Sequence, residues 1–364
     1  MNLLPIKRLE NKEIFLLING LIGIGLMLAV SLTLNSPART GSPALLKAAM
    51  NMDNSLNTIS AYSTQNHINT DNPEDPWHTG LIGPEWSDLT TTIGDPAAKR
   101  TTINPNFAAL IAHLLIEAGV QKGDTIAIGS SASFPALLIA SLAASKALEL
   151  HPIVIFSFGS SSFGASNPEF NLWDIYRLLL DKNSTDFKPA AASIGGEDDT
   201  GSEFEQGLSD RIRKSLSDAA IPLISEKELQ KNLSEREKIY FNGNPKRIKA
   251  FINSGGGYAN LGNSQAVLNI KPGLIKKATI PEPSRQGMIH VMLQNSIPVI
   301  HLLFIKGLAQ KYHLPWDPGS QPAITQQSVR FDNRLNPLTL IISLAGLIWF
   351  ILVVIRFRML YNSR

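Results

Sequence analysis

Two long apolar runs bracket a chain that otherwise alternates short apolar segments with polar loops. Residues 14–34 read IFLLINGLIGIGLMLAVSLTL without a charge. As a helix rising 1.5 Å per residue, that run covers about 30 Å, the hydrocarbon thickness of a bilayer. Residues 338–355, LTLIISLAGLIWFILVVI, form a second uncharged run, with Trp349 placed where an indole can sit at headgroup depth. The pattern predicts two membrane crossings. The first run is longer than the apolar core of a signal peptide and lacks a following A-x-A site, so it reads as an anchor rather than a cleaved leader.

Between the runs, the periodicity changes. Leu45, Ala48, Ala49, Met52, Leu56 and Ile59 fall at helical spacing, which predicts a juxtamembrane helix or stalk. A loop follows, rich in proline (Pro73, Pro76, Pro84, Pro96, Pro105) and containing PWHTGLIGPEWSDLTTTIGDP. Asn104 and Pro105 then open a helix with Phe107, Leu110, Ile111, Leu114 and Leu115 on one face, stopped at Gly119. From there a unit recurs: short apolar strand, small polar loop, helix. DTIAIG leads through SSASF to PALLIASLAASKALEL, and PIVIFSF runs into GSSSFGASNPEF and a helix at 171–180. PAAASIGG precedes GGEDDTG and a helix. RIKAFIN precedes SGGGYANLG, and RQGMIHVMLQNSIPVIHLLFIKGLAQKYH closes the series as helix, strand, helix. Repeated βα steps predict an α/β fold: a mostly parallel, Rossmann-like sheet with flanking helices, bracketed by the two transmembrane helices.

The expected organisation is a cytoplasmic segment 1–13, a span 14–34, a juxtamembrane helix and long loop 35–105, an extracytoplasmic α/β domain 106–320, a linker 321–337, a span 338–355 and a cytoplasmic basic tail 356–364. The orientation comes from Lys7, Arg8 and Lys12 before the first span and Arg356, Arg358 and Arg364 after the second, against Arg39 and Arg334 on the other flanks.

Composition narrows the chemistry. Among 364 residues there is no cysteine, which excludes disulfides, thiolate metal sites and a cysteine nucleophile. The net charge of +3 belongs to the ends. Setting aside the three cations and two acids of the head and the three cations of the tail leaves 27 Lys+Arg and 28 Asp+Glu. That balance gives no support for nucleic-acid binding.

In open parallel sheets ligands bind beyond the carboxyl ends of the strands, so the loops after the strands form one candidate rim. Ser130, Ser131 and Ser133 offer hydroxyls before a helix N-terminus. Gly159, Ser160 and Ser161, with Ser254, Gly255, Gly256 and Gly257, let a main chain approach a ligand closely. Ser and Gly are also what ordinary βα turns and helix caps use. Glu85, Ser87 and Thr90 in the proline-rich loop are further binding candidates, with Trp77 and Trp86 either pinning that loop or serving the binding. Asp198 and Asp199 are weak cation ligands and better helix-capping acids. There is no G-x-S-x-G elbow, P-loop, H-E-x-x-H or intact dinucleotide motif, so neither a cofactor nor a nucleotide-driven reaction is expected. His113 and His301 read as core or rim residues.

The stretches LIGPEWSDLTTTIGDPAAKRTTINPNF, GDTIAIGSSASFPALLIASLAA and IFSFGSSSFGASNPEF, set between two spans, resemble the poly-γ-glutamate system proteins. That family accompanies the ATP-dependent ligase and polytopic membrane subunit that make and export poly-γ-glutamate in bacteria. The resemblance implies a two-pass protein of the bacterial cytoplasmic membrane, in cell-envelope (capsule) biosynthesis, whose partners are synthase subunits and the anionic polymer. It assigns no catalytic residue. The expectation is an accessory protein whose outward domain binds polymer or a synthase subunit, with Lys99 and Arg100 as exposed cations of small individual effect. An alternative is a hydrolase or transferase on the γ-glutamyl polymer, using Ser130, Ser131, Ser133 or Ser161 with His151 or His78 as base. A third reading is a scaffold in which Gly20, Gly23 and Gly25 allow close contact between helices.

Overall fold

The computed structural model describes residues 11–34, 43–69, 71–325, 328, 331 and 337–362. Residues 1–10, Arg39, Arg334 and Arg364, on which part of the expected topology rests, lie outside them. The chain divides into two units, one of residues 1–40 with 332–364, the other of residues 41–331.

In the first unit, helices α1 (Asn11–Leu34) and, at the far end of the chain, Pro337–Asn362 pack on each other. Gly23 faces the Trp349 ring, and a Cβ there would sit 3.6 Å from it, whereas Gly20 and Gly25 face open space. Only one of the three expected glycines therefore serves helix contact. Among the described residues one helix is long and apolar enough to cross a membrane, Thr339–Met359, and of that stretch only Thr339 is buried. The apolar stretch of α1 is the shorter Leu17–Ser31. A bilayer needs about 20 residues, a length that Thr339–Met359 meets among the described residues.

The second unit begins with α2 (Pro43–Gln65). Its predicted apolar face is buried in the main core against later helices rather than standing apart as a stalk. After β1 (Thr90–Thr92), α3 (Pro96–Thr102) starts on the Asp95 cap, and α4 (Asn106–Ala118) ends where Gly119 turns left-handed, φ 93°. The βα series then runs β2 (Thr125–Ser131), α5 (Pro135–Ala147), β3 (His151–Ser157), β4 (Ser160–Ser161), α6 (Leu172–Asp181), β5 (Ala191–Ser193), α7 (Gln206–Asp218) and β6 (Leu223–Ile224). It continues through α8 (Leu229–Phe241), β7 (Ile248–Asn253), α9 (Tyr258–Leu261), β8 (Gly273–Ile275), α10 (Met288–Gln294), β9 (Val299–His301) and α11 (Ile305–Lys311); the helix Pro337–Asn362 is α12.

Seven strands form one sheet in the order β6-β5-β3-β2-β7-β9-β8, all parallel except β8 on the edge. Alternation along the strands sorts two cores. Ile126, Ile128, Val154, Phe156, Ala250 and Ile252 meet α2, α4, α5 and α6 on one face. Ala127, Ile155, Ala191, Phe251 and Val299 meet α8 and α10 on the other. Both faces are covered, as a parallel sheet requires. The chain leaves β2 toward β3, β5 and β6, then returns to place β7 on the opposite flank of β2. That reversal opens a crevice above the carboxyl ends of β2 and β7.

Candidate functional site

A cavity of about 1000 Å³ occupies this crevice. Every parallel strand of the central five contributes the loop at its carboxyl end: Ser131 and Ser133 after β2, Ser157 and Gly159 after β3, Gly195 to Glu197 after β5, Gly256 and Gly257 after β7, and Leu303 to Ile305 after β9. The small two-stranded sheet of β1 and β4 adds Thr91, Thr92 and Ser161, and α3 adds Lys99. Volume and position match a ligand site at a topological switch point.

Ser161 and Lys99 meet at one wall. Lys99 Nζ donates to Ser161 Oγ at 2.7 Å and to the Ser133 carbonyl, while the Phe134 ring lies 3.8 Å from Nζ. Ser161 is held on the backbone side, its N–H donating to Ser133 Oγ at 3.0 Å and its carbonyl accepting from Gly164 N–H at 3.1 Å. Gly94 lets the main chain pass beside this serine, since a Cβ there would collide with the Ser162 carbonyl and lie 3.1 Å from Ser161 Oγ. Lys99 is 3% exposed. Loss of water around the ammonium pulls its pKa from the ordinary 10.5 down to about 7, only partly opposed by Asp95. Lys99 is therefore no exposed cation. Arg100 is half-buried too, its guanidinium gripping Asp317 at 2.6 and 2.8 Å and also Glu74.

The loop after β5 forms another wall, and a buried ion pair fixes it. Asp199, at φ 64°, accepts from Arg236 Nη2 at 2.6 Å, Asn232 Nδ2 at 2.9 Å and Ser193 Oγ at 2.8 Å. Asp198 accepts from Thr200 N–H and from the Thr200 and Ser202 hydroxyls. Both carboxylates are thus spent on the protein itself. They neither cap α7, which begins after Glu205, nor stand with other ligands, because no cluster able to hold a metal ion occurs among the described residues.

Of the expected residues, Ser131, Ser133, Gly159, Ser161, Gly256 and Gly257 line the cavity. Ser131 Oγ is buried there without a hydrogen-bond partner. Ser130, Ser160 and Ser254 do not line it, and all three are buried with their hydroxyls on backbone carbonyls: Ser130 on Ser131, Ser160 on Ala132 and Ser161, Ser254 on Gly129. Gly255 packs directly on Ser131. Glu85 is exposed away from the cavity, Ser87 N–H donates to Thr90 Oγ1 within their own turn, and Ser87 Oγ donates to the Ser166 carbonyl. Trp77 packs on the core, whereas Trp86 is 60% exposed. Neither expected base is near: His151 is exposed at the amino end of β3, and His78 is exposed in the proline-rich loop. His301 is buried against Asn253 Nδ2 at 3.1 Å, and burial pulls its pKa down to about 4.

Lys306 and Trp316 escaped the sequence reading, Lys99 was read as an exposed cation, and of the threonine run Thr90 was named where Thr91 and Thr92 line the cavity. Each lies outside the strand-end loops and reaches the cavity by tertiary packing, α11 against α3 in the case of Lys306. No protein-family model, curated protein or solved structure matches this chain.

Proposed function

We propose that this is a membrane-attached accessory protein of poly-γ-glutamate synthesis or export whose α/β unit holds the end of a γ-linked glutamate chain in the switch-point cavity. The observation that carries the reading is the cavity's mixture of charge. The cation Lys306 comes from α11, which packs on α3, and Glu197 and Glu203 come from the loop after β5. A run of side-chain carboxylates would be repelled by that loop. The amino end of such a chain, which carries an ammonium beside a carboxylate, offers a partner to each sign. The Gly256 and Gly257 segment adds main chain that a ligand can approach closely.

Attachment rests on α12, with α1 as a second crossing paired to it through Gly23 and Trp349. Cations at the outer ends of both helices favour cytoplasmic termini and an extracytoplasmic α/β unit. Apolar side chains such as Leu21, Met27, Leu347 and Phe350 are exposed around this helix pair, a surface suited to lipid or to a synthase subunit.

The test is binding of γ-glutamyl oligomers to the full chain in detergent micelles. Affinity should fall as salt rises, should scale with the molar concentration of chain ends, and should drop when the terminal amine is acetylated. Absence of binding at low ionic strength, or binding that follows polymer mass regardless of chain ends, refutes it. A reporter inserted near residue 200 and found in the cytosol refutes the topology.

A further inference from the structure

We propose that Ser161 and Lys99 form a nucleophile–base pair for acyl transfer on a carboxamide bound in the cavity. Three independent features meet at this spot. The hydroxyl and amine are in direct hydrogen-bond contact at 2.7 Å. Both line the cavity, so a substrate carbonyl can reach the hydroxyl. The amine is enclosed by Phe134, the Ser133 carbonyl and the body of α3, and among the described residues its hydrogen-bond partners are that carbonyl and Ser161 Oγ rather than a carboxylate.

The surroundings set the proton's place. Asp95, at the N-cap of α3, is the charged group that faces Lys99. Arg100 on the same helix is taken up by Asp317 and Glu74. Lys306 of the neighbouring α11 lies over Trp316, and Lys146, the charged residue of α5, is held on the Asn183 and Ser184 carbonyls. β4 brings no titratable group. Burial thus outweighs one flanking carboxylate, and near neutral pH a large share of the molecules hold a free amine able to accept a proton.

The step balances without a cofactor. Lys99 Nζ takes the Ser161 hydroxyl proton as Oγ bonds to the carbonyl carbon. The carbon–nitrogen bond then breaks, the amine leaves with the proton returned by Lys99, and an ester remains on Ser161. Water attacks that ester as Lys99 accepts its proton, the acyl carbon–Oγ bond breaks, and Lys99 returns the proton to Oγ, so that a carboxylic acid, free serine and free amine result. An amine in place of water completes transfer instead of hydrolysis. The substrate class is an amide small enough for the cavity, which includes a γ-glutamyl chain end without requiring one.

The test uses a biotinylated fluorophosphonate on the full chain in detergent, followed by peptide mass spectrometry. Phosphonylation displaces fluoride from phosphorus and needs only the activated serine, so it reads the pair independently of polymer binding. The expected result is modification at Ser161, with a rate that climbs through about pH 7 and levels off above it, absent in Ser161→Ala and at least 100-fold slower in Lys99→Met. No modification of Ser161 between pH 6 and 9 overturns the proposal. So does a rate that is flat across that range in the unmodified sequence, a readout that does not depend on whether the Lys99→Met chain folds.

Discussion

Asp199→Ala is the perturbation that tests how the cavity wall is built. The carboxylate and the Arg236 guanidinium are each about 2% exposed, and the pair is closed by Ser193 and Asn232, so each oxygen of Asp199 has a partner. Removing the carboxylate leaves a buried guanidinium whose remaining side-chain acceptors are Asn232 Oδ1 at 2.8 Å and Ser193 Oγ at 2.9 Å, both neutral. Breaking one side of such a pair costs about 3–5 kcal/mol. For a unit of this size the midpoint of thermal unfolding should fall by roughly 5–8 °C. Circular dichroism on the full chain, scanned against the unaltered sequence, measures the shift. Asp199→Asn combined with Arg236→Met removes both charges while keeping side-chain size and a residue that tolerates the left-handed backbone at 199, and it should recover most of the loss. A fall below about 1 kcal/mol for Asp199→Ala, or no recovery in the double variant, refutes the view that a charge pair, rather than the backbone turn alone, holds the loop.

Burial of Lys99 also makes stability depend on pH. Its pKa is about 7 folded against 10.5 in its ordinary state. Between those values the unfolded chain binds a proton the folded chain lacks, so relative to Lys99→Met stability should rise with pH by up to about 1.4 kcal/mol per unit and fall away toward pH 7. Denaturant midpoints of the two chains at pH 7 and pH 9 check the sign. Met52→Ala should cost about 2–5 kcal/mol by denaturant unfolding, because this α2 side chain is fully buried in the main core; a stalk would lose almost nothing. Asn171→Ala should cost about 1 kcal/mol in the same assay, since the side chain caps α6 at Trp173 and Asp174 N–H while Asp174 returns a bond to the Asn171 N–H.

The parts of the fold that were legible in sequence are those whose local signal survives tertiary context. β2, β3 and β7 are six or seven residues long with apolar centres and end in Ser or Asn, and α4 carries its stripe from an Asn-Pro start to a left-handed Gly119. β4 and β6 are two residues long, and β1 and β8 three, too short for any period to register. β1 and β4 exist because Thr90 and Thr92 find Ser160 and Ser161 across about 70 residues of chain, a pairing no local pattern announces.

The candidate site divides along the same line. The serines and glycines of the rim were visible because parallel strands must end at one edge, whatever their order. What the pattern could not supply was which hydroxyls turn into the crevice. Alternation settles that residue by residue, sending Ser131 and Ser161 toward the cavity and burying Ser130 and Ser160 beside them. Lys99 was misread for a related reason. In a seven-residue helix followed at once by Arg100, a lysine reads as solvent-facing, and only the arrival of Ser133, Phe134 and Ser161 from two other loops encloses it. In the proposed acyl transfer, an amine that burial strips of water holds and releases a proton for the hydroxyl it touches. The same packing that hides the residue from a sequence reading is therefore what gives it chemistry.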